Sequence, residues 1–222
     1  MIPGMRVYFA RHGESEANVD RVIANRGWAY PLTDRGRAQA LRLARRLEAD
    51  LRQLGAEAND RLQIHASPLR RAAETADIVA TVLGAPVVTA DALREADCGA
   101  IEGRSDPEAW AAHDRIQARW RAGATSDRID GGESLDEVLD RFETFVHDVV
   151  RRLDPDAAIV CVGHGSVYRF ALPVLLVGAL GAPIEGVEVG QAGAVVAEVD
   201  GTGRFVEVAR WTGGDDPMSV PG

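Results

Sequence analysis

Residues 5–18 read MRVYFARHGESEAN, and this stretch decides the class of fold. Its apolar run at 6–10 ends in Arg11, His12 and Gly13, after which a short polar segment begins. A second run, AIVCV at 158–162, is also almost continuously apolar and leads into Gly163 and His164. Strands that are covered by helices on both faces have this continuous apolar character. The two runs therefore predict central strands of an α/β sheet.

Short runs rich in valine, isoleucine and alanine alternate with helical patterns along the chain, which is typical of strands joined by crossover helices. The predicted strands are 6–10, 62–66, 87–89, 158–162, 194–199 and 205–209. The last two are separated by a segment containing DGTG and predict a hairpin. We therefore expect an α/β fold: a three-layer sandwich with a mostly parallel central sheet, one antiparallel edge strand and helices on both faces.

Helix signals lie between the predicted strands. Residues 32–55 repeat leucine and alanine at three- and four-residue steps, which predicts an amphipathic helix. Gly55 is predicted to end this first helix. A second helix is predicted from Ser67 as its N-cap, Pro68 at its first position and Gly84 after its end. The capping box of Ser134 and Glu137 predicts the start of a third helix. We expect one domain spanning 1–222, with a helical or loop cap insertion at 96–132 and a disordered tail at 212–222.

The composition narrows the classes of partner. A formal net charge of −9 opposes binding to an extended phosphate backbone, so we expect no nucleic-acid partner. All 25 basic residues are arginine, which excludes Schiff-base chemistry and a P-loop lysine. Cys98 and Cys161 have no CxxC spacing and predict no disulfide framework. We see no leader and no apolar run long enough to span a membrane, and we expect a cytoplasmic monomer or homodimer.

Residues whose side chains can take part in catalysis or ligand binding follow several of the predicted strands. Ligands of α/β sheets bind beyond the carboxyl ends of the strands. The candidates are Arg11, His12, Ser67, Arg70, Arg71, Glu95, His164 and Ser166. Each has a structural alternative: a lone histidine usually serves packing, and one of two adjacent arginines is expected at the surface. His65, His113 and His147 keep the structural interpretation, because the sequence gives them no supporting neighbours.

The combination of residue types favours an anion over a cation. Arginines beside His12 and His164 would repel a metal ion, whereas the guanidinium fork matches phosphate oxygens. We therefore expect no metal at this edge of the sheet, and a small dianion as the ligand.

Six ordered segments, RHGES with Asn18, PLTDRGRAQA, SPLRRAAETA, LREADCGAIEG, GGES and VGHGS, resemble those of the histidine phosphatase superfamily, the phosphoglycerate mutase-like proteins. The resemblance implies a catalytic group in which His12 is the phosphorylated nucleophile, Glu95 the proton donor and His164 a second, cationic histidine. It also implies that Arg11 and Arg71 bind phosphate. Asn18, Arg26, Gly27 and Ser166 are the expected substrate-binding residues.

Within this family, the sequence favours a phosphatase. The chain has no lysine, segment 96–132 differs from the insertion of the cofactor-dependent mutases, and Arg26 stands where those mutases carry a small hydroxylated residue. We expect a metal-independent phosphomonoesterase, without a cofactor, that hydrolyses a small phosphorylated metabolite through a phosphohistidine. The alternatives are a cofactor-dependent phosphoglycerate mutase and a non-catalytic relative that binds phosphorylated ligands.

Several large side chains are candidates to cover the pocket, or else to pack their segments onto the body of the protein. They are Arg26, Trp28, Tyr30, Trp110, Trp120 and Arg121.

Overall fold

The computed structural model describes residues 5–27, 29–53, 61–154, 157–177 and 187–210. Within these residues the helices are α1 (Glu16–Val19), α2 (Asp34–Gln53), α3 (Arg70–Leu83), α4 (Pro107–Arg121), α5 (Leu135–Arg152) and α6 (Gly165–Leu175). The strands are β1 (Met5–Arg11), β2 (Leu62–Ala66), β3 (Val87–Thr89), β4 (Ala158–Gly163), β5 (Ala194–Val199) and β6 (Phe205–Arg210). Two short 3-10 turns, Asp91–Leu93 and Gly99–Ile101, lie between β3 and α4.

The described strands form a sheet in the order β3-β2-β4-β1-β5-β6. The first four are paired in parallel, β5 runs antiparallel to β1, and the edge strand β6 runs antiparallel to β5. The predicted α/β fold class is confirmed, and so is the final hairpin. Because β1 and β4 are central neighbours, the residues that follow them lie side by side.

Helices cover both faces of the sheet, and successive residues of β1 face opposite layers. Val7 and Phe9 belong to the core formed with α5 and α6, whereas Tyr8 and Ala10 belong to the core formed with α2 and α3. All four side chains are fully buried, and Phe9 contacts Phe142 of α5 with 5.9 Å between ring centroids. This burial on both faces explains why β1 is almost continuously apolar.

Two glycines bring the loop after β1 against the first turn of α2. A Cβ atom added to Gly13 would lie 2.4 Å from the carbonyl oxygen of Gly36, and one added to Gly36 would lie 1.9 Å from that of Glu14. Both distances are far inside van der Waals contact, and both neighbours are backbone atoms. Gly13 and Gly36 are thus needed for this close approach of two backbones, which fixes the loop that carries His12.

The predicted N-cap of α3 is wrong. The helix begins at Arg70 with Leu69 as its N-cap residue, two positions later than the assignment of Ser67 as N-cap and Pro68 as the first helical residue implied. The hydroxyl of Ser67 instead accepts the N–H of Leu69 at 3.2 Å and lies 2.7 Å from Nε2 of His164. Ser67 therefore forms a local turn before the helix and contacts the site.

Other predicted helix signals are confirmed. Gly84 ends α3 in the left-handed conformation with φ of 68°. Ser134 Oγ accepts the N–H of Glu137 at 3.3 Å, while Glu137 Oε2 accepts the N–H of Ser134 at 2.9 Å, which completes the capping box before α5. Gly55, Trp28 and the tail at 212–222 lie outside the described residues.

Segment 96–132, predicted as a cap insertion, contains the second 3-10 turn and α4. Trp120 is buried against Phe170 of α6, with 5.5 Å between ring centroids, so it packs the segment onto the body of the protein. Trp110, on the same helix, instead lines the cavity described below. The two cysteines, Cys98 and Cys161, are free and buried, and burial raises the pKa of each to about 12.

Candidate active site

A cavity of about 400 Å³ lies beyond the carboxyl ends of β1 and β4. Arg11 at the end of β1 is paired in register with Gly163 at the end of β4, and the N–H of His12 bonds to the carbonyl of Gly163 at 3.1 Å. The next residue after each strand is a histidine, so the rings of His12 and His164 come within 5.1 Å, centroid to centroid. The sheet itself therefore brings the two histidines together.

Both ring nitrogens of His12 have a defined partner. Nδ1 lies 2.6 Å from the carbonyl oxygen of Gly13, and Nε2 lies 3.1 Å from Nε of Arg71. A carbonyl oxygen only accepts and a guanidinium only donates, so the proton is on Nδ1 and the lone pair on Nε2. Burial and the charges of Arg71 and Arg11 lower the pKa of His12 well below 6.5, which keeps the ring neutral.

Arg71 is buried at the base of the cavity, whereas Arg70 is half-exposed and pairs with Glu74. Nη1 of Arg71 donates to the carbonyl of Ala24 at 2.6 Å, which holds the guanidinium over His12. Burial lowers the pKa of Arg71 to about 10, so it remains charged at neutral pH. Of the two adjacent arginines, only Arg71 is positioned for an anion in the cavity.

Arg11 and His164 each carry a buried nitrogen that has no hydrogen-bond partner among the described residues. These atoms are Nε of Arg11 and Nδ1 of His164, while Nη1 of Arg11 donates to the carbonyl of Val189 at 3.0 Å. Buried polar groups in proteins are nearly always paired, so unpaired nitrogens at a cavity indicate a place for a polar ligand.

The charges around His164 oppose the cationic state that the family resemblance implies. His164 is completely buried, and burial together with Arg71, His12 and Arg11 lowers its pKa well below 6.5. The neutral ring is favoured because a third positive charge beside two buried arginines is not compensated.

Glu95 reaches the cavity from the loop after the first 3-10 turn and is 7% exposed. Its Oε1 accepts the N–H groups of Ala96 and Val167 at 3.0 and 3.1 Å, and its Oε2 accepts that of Ser166 at 3.1 Å. Two of these donors belong to the first turn of α6. The carboxyl group is therefore fixed in direction, beside the same helix that follows His164.

The expected substrate-binding residues divide into two pairs. Asn18 and Ser166 line the cavity. Arg26 and Gly27 are not among its lining residues, because Nε of Arg26 pairs with Asp97 at 2.7 Å and its Nη2 donates to the carbonyl of Gly131 at 2.9 Å. The cavity is reached instead by the preceding residue, Asn25.

A family model described as the histidine phosphatase superfamily (branch 1) matches residues 7–212. The chain belongs to this superfamily. A relative from Cronobacter sakazakii, named "Probable phosphoglycerate mutase GpmB", is 32% identical over 178 residues, which cover 78% of this chain and 75% of that protein.

Two solved structures show the same fold. The alpha-ribazole phosphatase from Shigella flexneri superposes with a TM-score of 0.68 and 24% identity, covering 98% of this chain and 100% of that one. A mycobacterial glucosyl-3-phosphoglycerate phosphatase in complex with VO3 gives a TM-score of 0.70 and 24% identity, covering 94% and 98%.

The sequence interpretation found only part of one wall of the cavity in this superfamily member. It named Trp110 and Arg121 as candidates to cover the pocket, but gave no role there to His113, Asp114, Gln117 or Arg169. This wall is formed by one face of α4, from which Trp110, His113, Asp114, Gln117 and Arg121 line the cavity, and by Arg169 of α6. The spacing of these α4 residues, with steps of three, four, seven and eleven from the first, is that of one helical face, so the signal was present in the sequence.

His113 was expected to have no supporting neighbours, and the structure contradicts this. Its ring lies 5.1 Å from that of Trp110, and its Nε2 lies 3.0 Å from Nε2 of Gln117, so it has neighbours that the sequence did not indicate. His65 and His147 do not line the cavity of this superfamily member.

Two further observations concern ligands and membranes. Within the described residues, no three His, Cys, Asp or Glu side chains are grouped so that they could hold a metal ion. Among the helices of the same residues, none combines the length and apolar character needed to cross a membrane.

Proposed function

We propose that this protein is a metal-independent phosphomonoesterase, acting without a cofactor on a small phosphorylated metabolite through a phosphohistidine on Nε2 of His12. The observation that carries the proposal is the fixed tautomer of His12. The Gly13 carbonyl holds the proton on Nδ1, so the lone pair is on Nε2, beside Arg71 and at the cavity. A neutral imidazole with a directed lone pair is the form that attacks phosphorus.

The first half-reaction transfers the phosphoryl group to His12. Nε2 forms a bond to phosphorus while the ester P–O bond breaks, and a proton from Glu95 neutralises the leaving alkoxide. Phosphoryl transfer demands mainly positioning and charge stabilisation, which Arg11 and Arg71 supply at the equatorial oxygens. The unpaired Nε of Arg11 and Nδ1 of His164 are further candidates to contact these oxygens.

The second half-reaction regenerates the histidine. Glu95, now a carboxylate, accepts a proton from water, the water oxygen forms a bond to phosphorus, and the P–Nε2 bond breaks to release inorganic phosphate. The backbone N–H groups that bind Glu95 keep its carboxyl group in one orientation through both halves.

The size of the cavity and the family match support the remaining parts of the proposal. A volume of about 400 Å³ suits a small metabolite. The family model spans 7–212, which supports one domain over 1–222. The residues of α4 that line the cavity support segment 96–132 as the cap of this domain. A cytoplasmic monomer or homodimer without nucleic-acid or membrane partners remains our interpretation of the composition.

The test is a screen for phosphate release over diverse phosphorylated metabolites, followed by substitution of His12. We expect His12→Ala to abolish both turnover and labelling of the protein by a phosphodonor, while His147→Ala, at an exposed position on α5, leaves both unchanged. Wild-type activity in His12→Ala would refute the assignment. A purified protein that is inactive on the whole panel and never labelled would favour the non-catalytic relative.

Glu95→Gln separates proton donation from phosphate binding. We expect release of the alcohol from alkyl phosphates, which have poor leaving groups, to slow by about 10²–10⁴-fold, and release of nitrophenolate from p-nitrophenyl phosphate to slow much less, because nitrophenolate leaves without a proton. The measurement is the rate of leaving-group release in a single turnover, because Glu95 also serves the second half-reaction, which is common to both substrates. An equal loss for both would show that Glu95 is not the acid.

A phosphoglycerate mutase is the second candidate, favoured by the name of the Cronobacter relative. The two reactions differ in the acceptor, which is water for a phosphatase and a phosphoglycerate for a mutase. Conversion of 3-phosphoglycerate, assayed with and without 2,3-bisphosphoglycerate, distinguishes them. We expect phosphate release to exceed isomerisation under both conditions.

A further inference from the structure

We infer that Glu102 is a positioning residue for Arg71 and acts on it through the peptide group between Ala24 and Asn25. Glu102 itself is not among the residues that line the cavity. Its role in catalysis rests on the proposed function, whereas its hold on Arg71 is a matter of hydrogen bonds between described residues.

The peptide group between Ala24 and Asn25 is held at both ends. Its carbonyl oxygen accepts Nη1 of Arg71 at 2.6 Å, and its N–H donates to Oε2 of Glu102 at 2.8 Å. The group is planar and trans, so its C=O and N–H point in opposite directions. A rotation that breaks the bond to Glu102 therefore also turns the carbonyl away from Arg71.

The charges at the two ends strengthen both bonds. Each bond has one ionised partner, and such bonds are shorter and stronger than those between neutral groups. A carboxylate at the N–H end also polarises the peptide group, which makes its carbonyl a better acceptor for the guanidinium. Removal of the charge of Glu102 would thus weaken the bond to Arg71 as well as free the peptide group.

The bond to the Ala24 carbonyl is the main contact that positions Arg71. It is the shortest of three hydrogen bonds that the guanidinium makes within the described residues. In the other two, Nε lies 3.1 Å from Nε2 of His12 and Nη2 lies 3.5 Å from Oδ1 of Asn25. Control of the Ala24 carbonyl is therefore control of the guanidinium beside the nucleophile.

The second carboxylate oxygen anchors Glu102 to the loop that carries Glu95. Oε1 accepts the N–H of Cys98 at 2.9 Å, and Nδ2 of Asn25 adds a parallel link by donating to the carbonyl of Ala96 at 2.9 Å. Burial raises the pKa of Glu102, and the N–H groups of Asn25 and Cys98 act in the opposite direction by favouring the ionised form. The support of the phosphate-binding arginine is thus tied to the loop of the proposed acid.

Neighbouring backbone bonds hold this region without Glu102. The carbonyl of Ile23 accepts the N–H of Gly103 at 2.7 Å, and the N–H of Ile23 donates to the carbonyl of Arg104 at 2.9 Å. Substitution of Glu102 should therefore leave segment 23–25 in place and release only the orientation of the peptide group.

Binding of inorganic phosphate tests the role of Glu102 through the sign of the change. Glu102→Gln removes a negative charge near an anion site, which by charge alone would tighten phosphate binding. Loss of the position of Arg71 should instead weaken it, and we expect a roughly tenfold lower affinity in calorimetric titration, as for one charged hydrogen bond. Unchanged or tighter binding in Glu102→Gln would overturn the inference.

Glu133→Gln is the matched control. Oε2 of Glu133 accepts the N–H of Asp97 at 2.9 Å, in the same loop that Glu102 holds, but its side chain makes no bond to the peptide group of Ala24 and Asn25. We expect this variant to bind phosphate at least as tightly as the wild type. A loss equal to that of Glu102→Gln would show a general loosening of the loop and refute the positioning role.

A second variant keeps the test decisive if Glu102→Gln does not fold, which urea unfolding detects. Glu102→Asp retains the charge, but its side chain is one methylene shorter and cannot span both N–H groups. We expect it to weaken phosphate binding as well. Wild-type affinity in Glu102→Asp would then overturn the inference, and failure of both variants to fold would assign Glu102 a structural role instead.

The pKa of His12, followed by NMR titration, reports at the atom that Arg71 contacts. We expect Glu102→Gln to raise this pKa because Arg71 moves away from Nε2, whereas loss of a carboxylate by charge alone would lower it. In an Arg71→Gln background the same substitution should cause no further rise. A lower or unchanged pKa in Glu102→Gln, or an equal rise in both backgrounds, would contradict action through Arg71.

These outcomes are distinguishable from failure of the proposed function. The pKa of His12 responds to Glu102 whether or not any phosphomonoester is hydrolysed, so a protein without turnover can still show the positioning role. Conversely, hydrolysis that depends on His12, together with wild-type phosphate affinity in Glu102→Gln, would retain the phosphatase and reject the role of Glu102.

Discussion

At the scale of single residues, Arg71 controls the protonation of His12. Its guanidinium lies 3.1 Å from Nε2 and is, after burial, the largest cause of the low pKa of the histidine. A positive charge beside the ring disfavours the imidazolium form, so removal of that charge must raise the pKa.

We therefore expect Arg71→Gln to raise the pKa of His12 towards 6.5, as followed by NMR titration of the ring signals. Arg70→Gln is a close control, because Arg70 is adjacent in sequence but half-exposed and paired with Glu74. A pKa that is identical in Arg71→Gln and wild type would mean that burial and Arg11 keep His12 neutral without Arg71.

The residues of the site were predictable to different degrees. Arg11, His12 and His164 follow apolar strands, so their convergence follows from the parallel sheet. The choice of Arg71 over Arg70 came from the family resemblance, and the structure places Arg71 in the cavity. Arg26 could not be placed, because its direction depends on Asp97, 71 positions away.

At the scale of elements, the contact between Gly13 and Gly36 joins the loop after β1 to α2. Alanine is a better helix former than glycine, so helix propensity alone predicts that Gly36→Ala stabilises α2 by about 1 kcal/mol. The structure predicts the opposite, because the added Cβ would lie 1.9 Å from the carbonyl oxygen of Glu14.

We expect Gly36→Ala to lower the free energy of unfolding by about 1–3 kcal/mol, the range for overpacked sites, and to reduce activity by displacing the loop of His12. Urea unfolding gives the first quantity. Gly201→Ala is the control, because nothing lies within 4 Å of the Cβ added there. Stabilisation of the Gly36 variant would show that the two backbones can separate at low cost.

Sequence patterns were sufficient to predict some helix boundaries, but not which helix face lines the cavity. The capping box of Ser134 and the end of α3 at Gly84 were predicted because both are local signals. Ser67 was assigned to the helix because its hydroxyl is a good cap, but that hydroxyl contacts His164, which is 97 positions away. The role of α4 at the cavity depends on which part of the protein its polar face lies against, and periodicity does not specify that.

At the scale of the whole molecule, two buried neutral histidines make stability depend on pH. The pKa values of His12 and His164 are well below 6.5 in the folded state. Their stabilising contribution is therefore complete above the unfolded pKa of about 6.5 and is lost as the pH falls, because only the unfolded chain takes up the protons.

Between pH 7 and pH 5.5 we expect the free energy of unfolding to fall by roughly 2–3 kcal/mol from these two residues. Urea unfolding at the two pH values measures it. His164→Gln should remove part of the dependence, whereas His147→Gln, at the exposed position on α5, should retain it. A stability that does not change over this interval would contradict the low pKa values.

The bond between Arg71 and Nε2 of His12 also has a consequence for chemical selectivity. A lone pair that already accepts a hydrogen bond is a poor nucleophile towards neutral electrophiles, because these carry no anionic oxygen that could replace it as the acceptor for the guanidinium N–H. A phosphate monoester brings oxygens that compete for the same N–H, so the substrate itself frees the nitrogen that attacks it. Under the proposed function, the negatively charged substrate therefore activates the nucleophile by taking the Arg71 N–H from Nε2. Uncharged acylating reagents should modify His12 slowly.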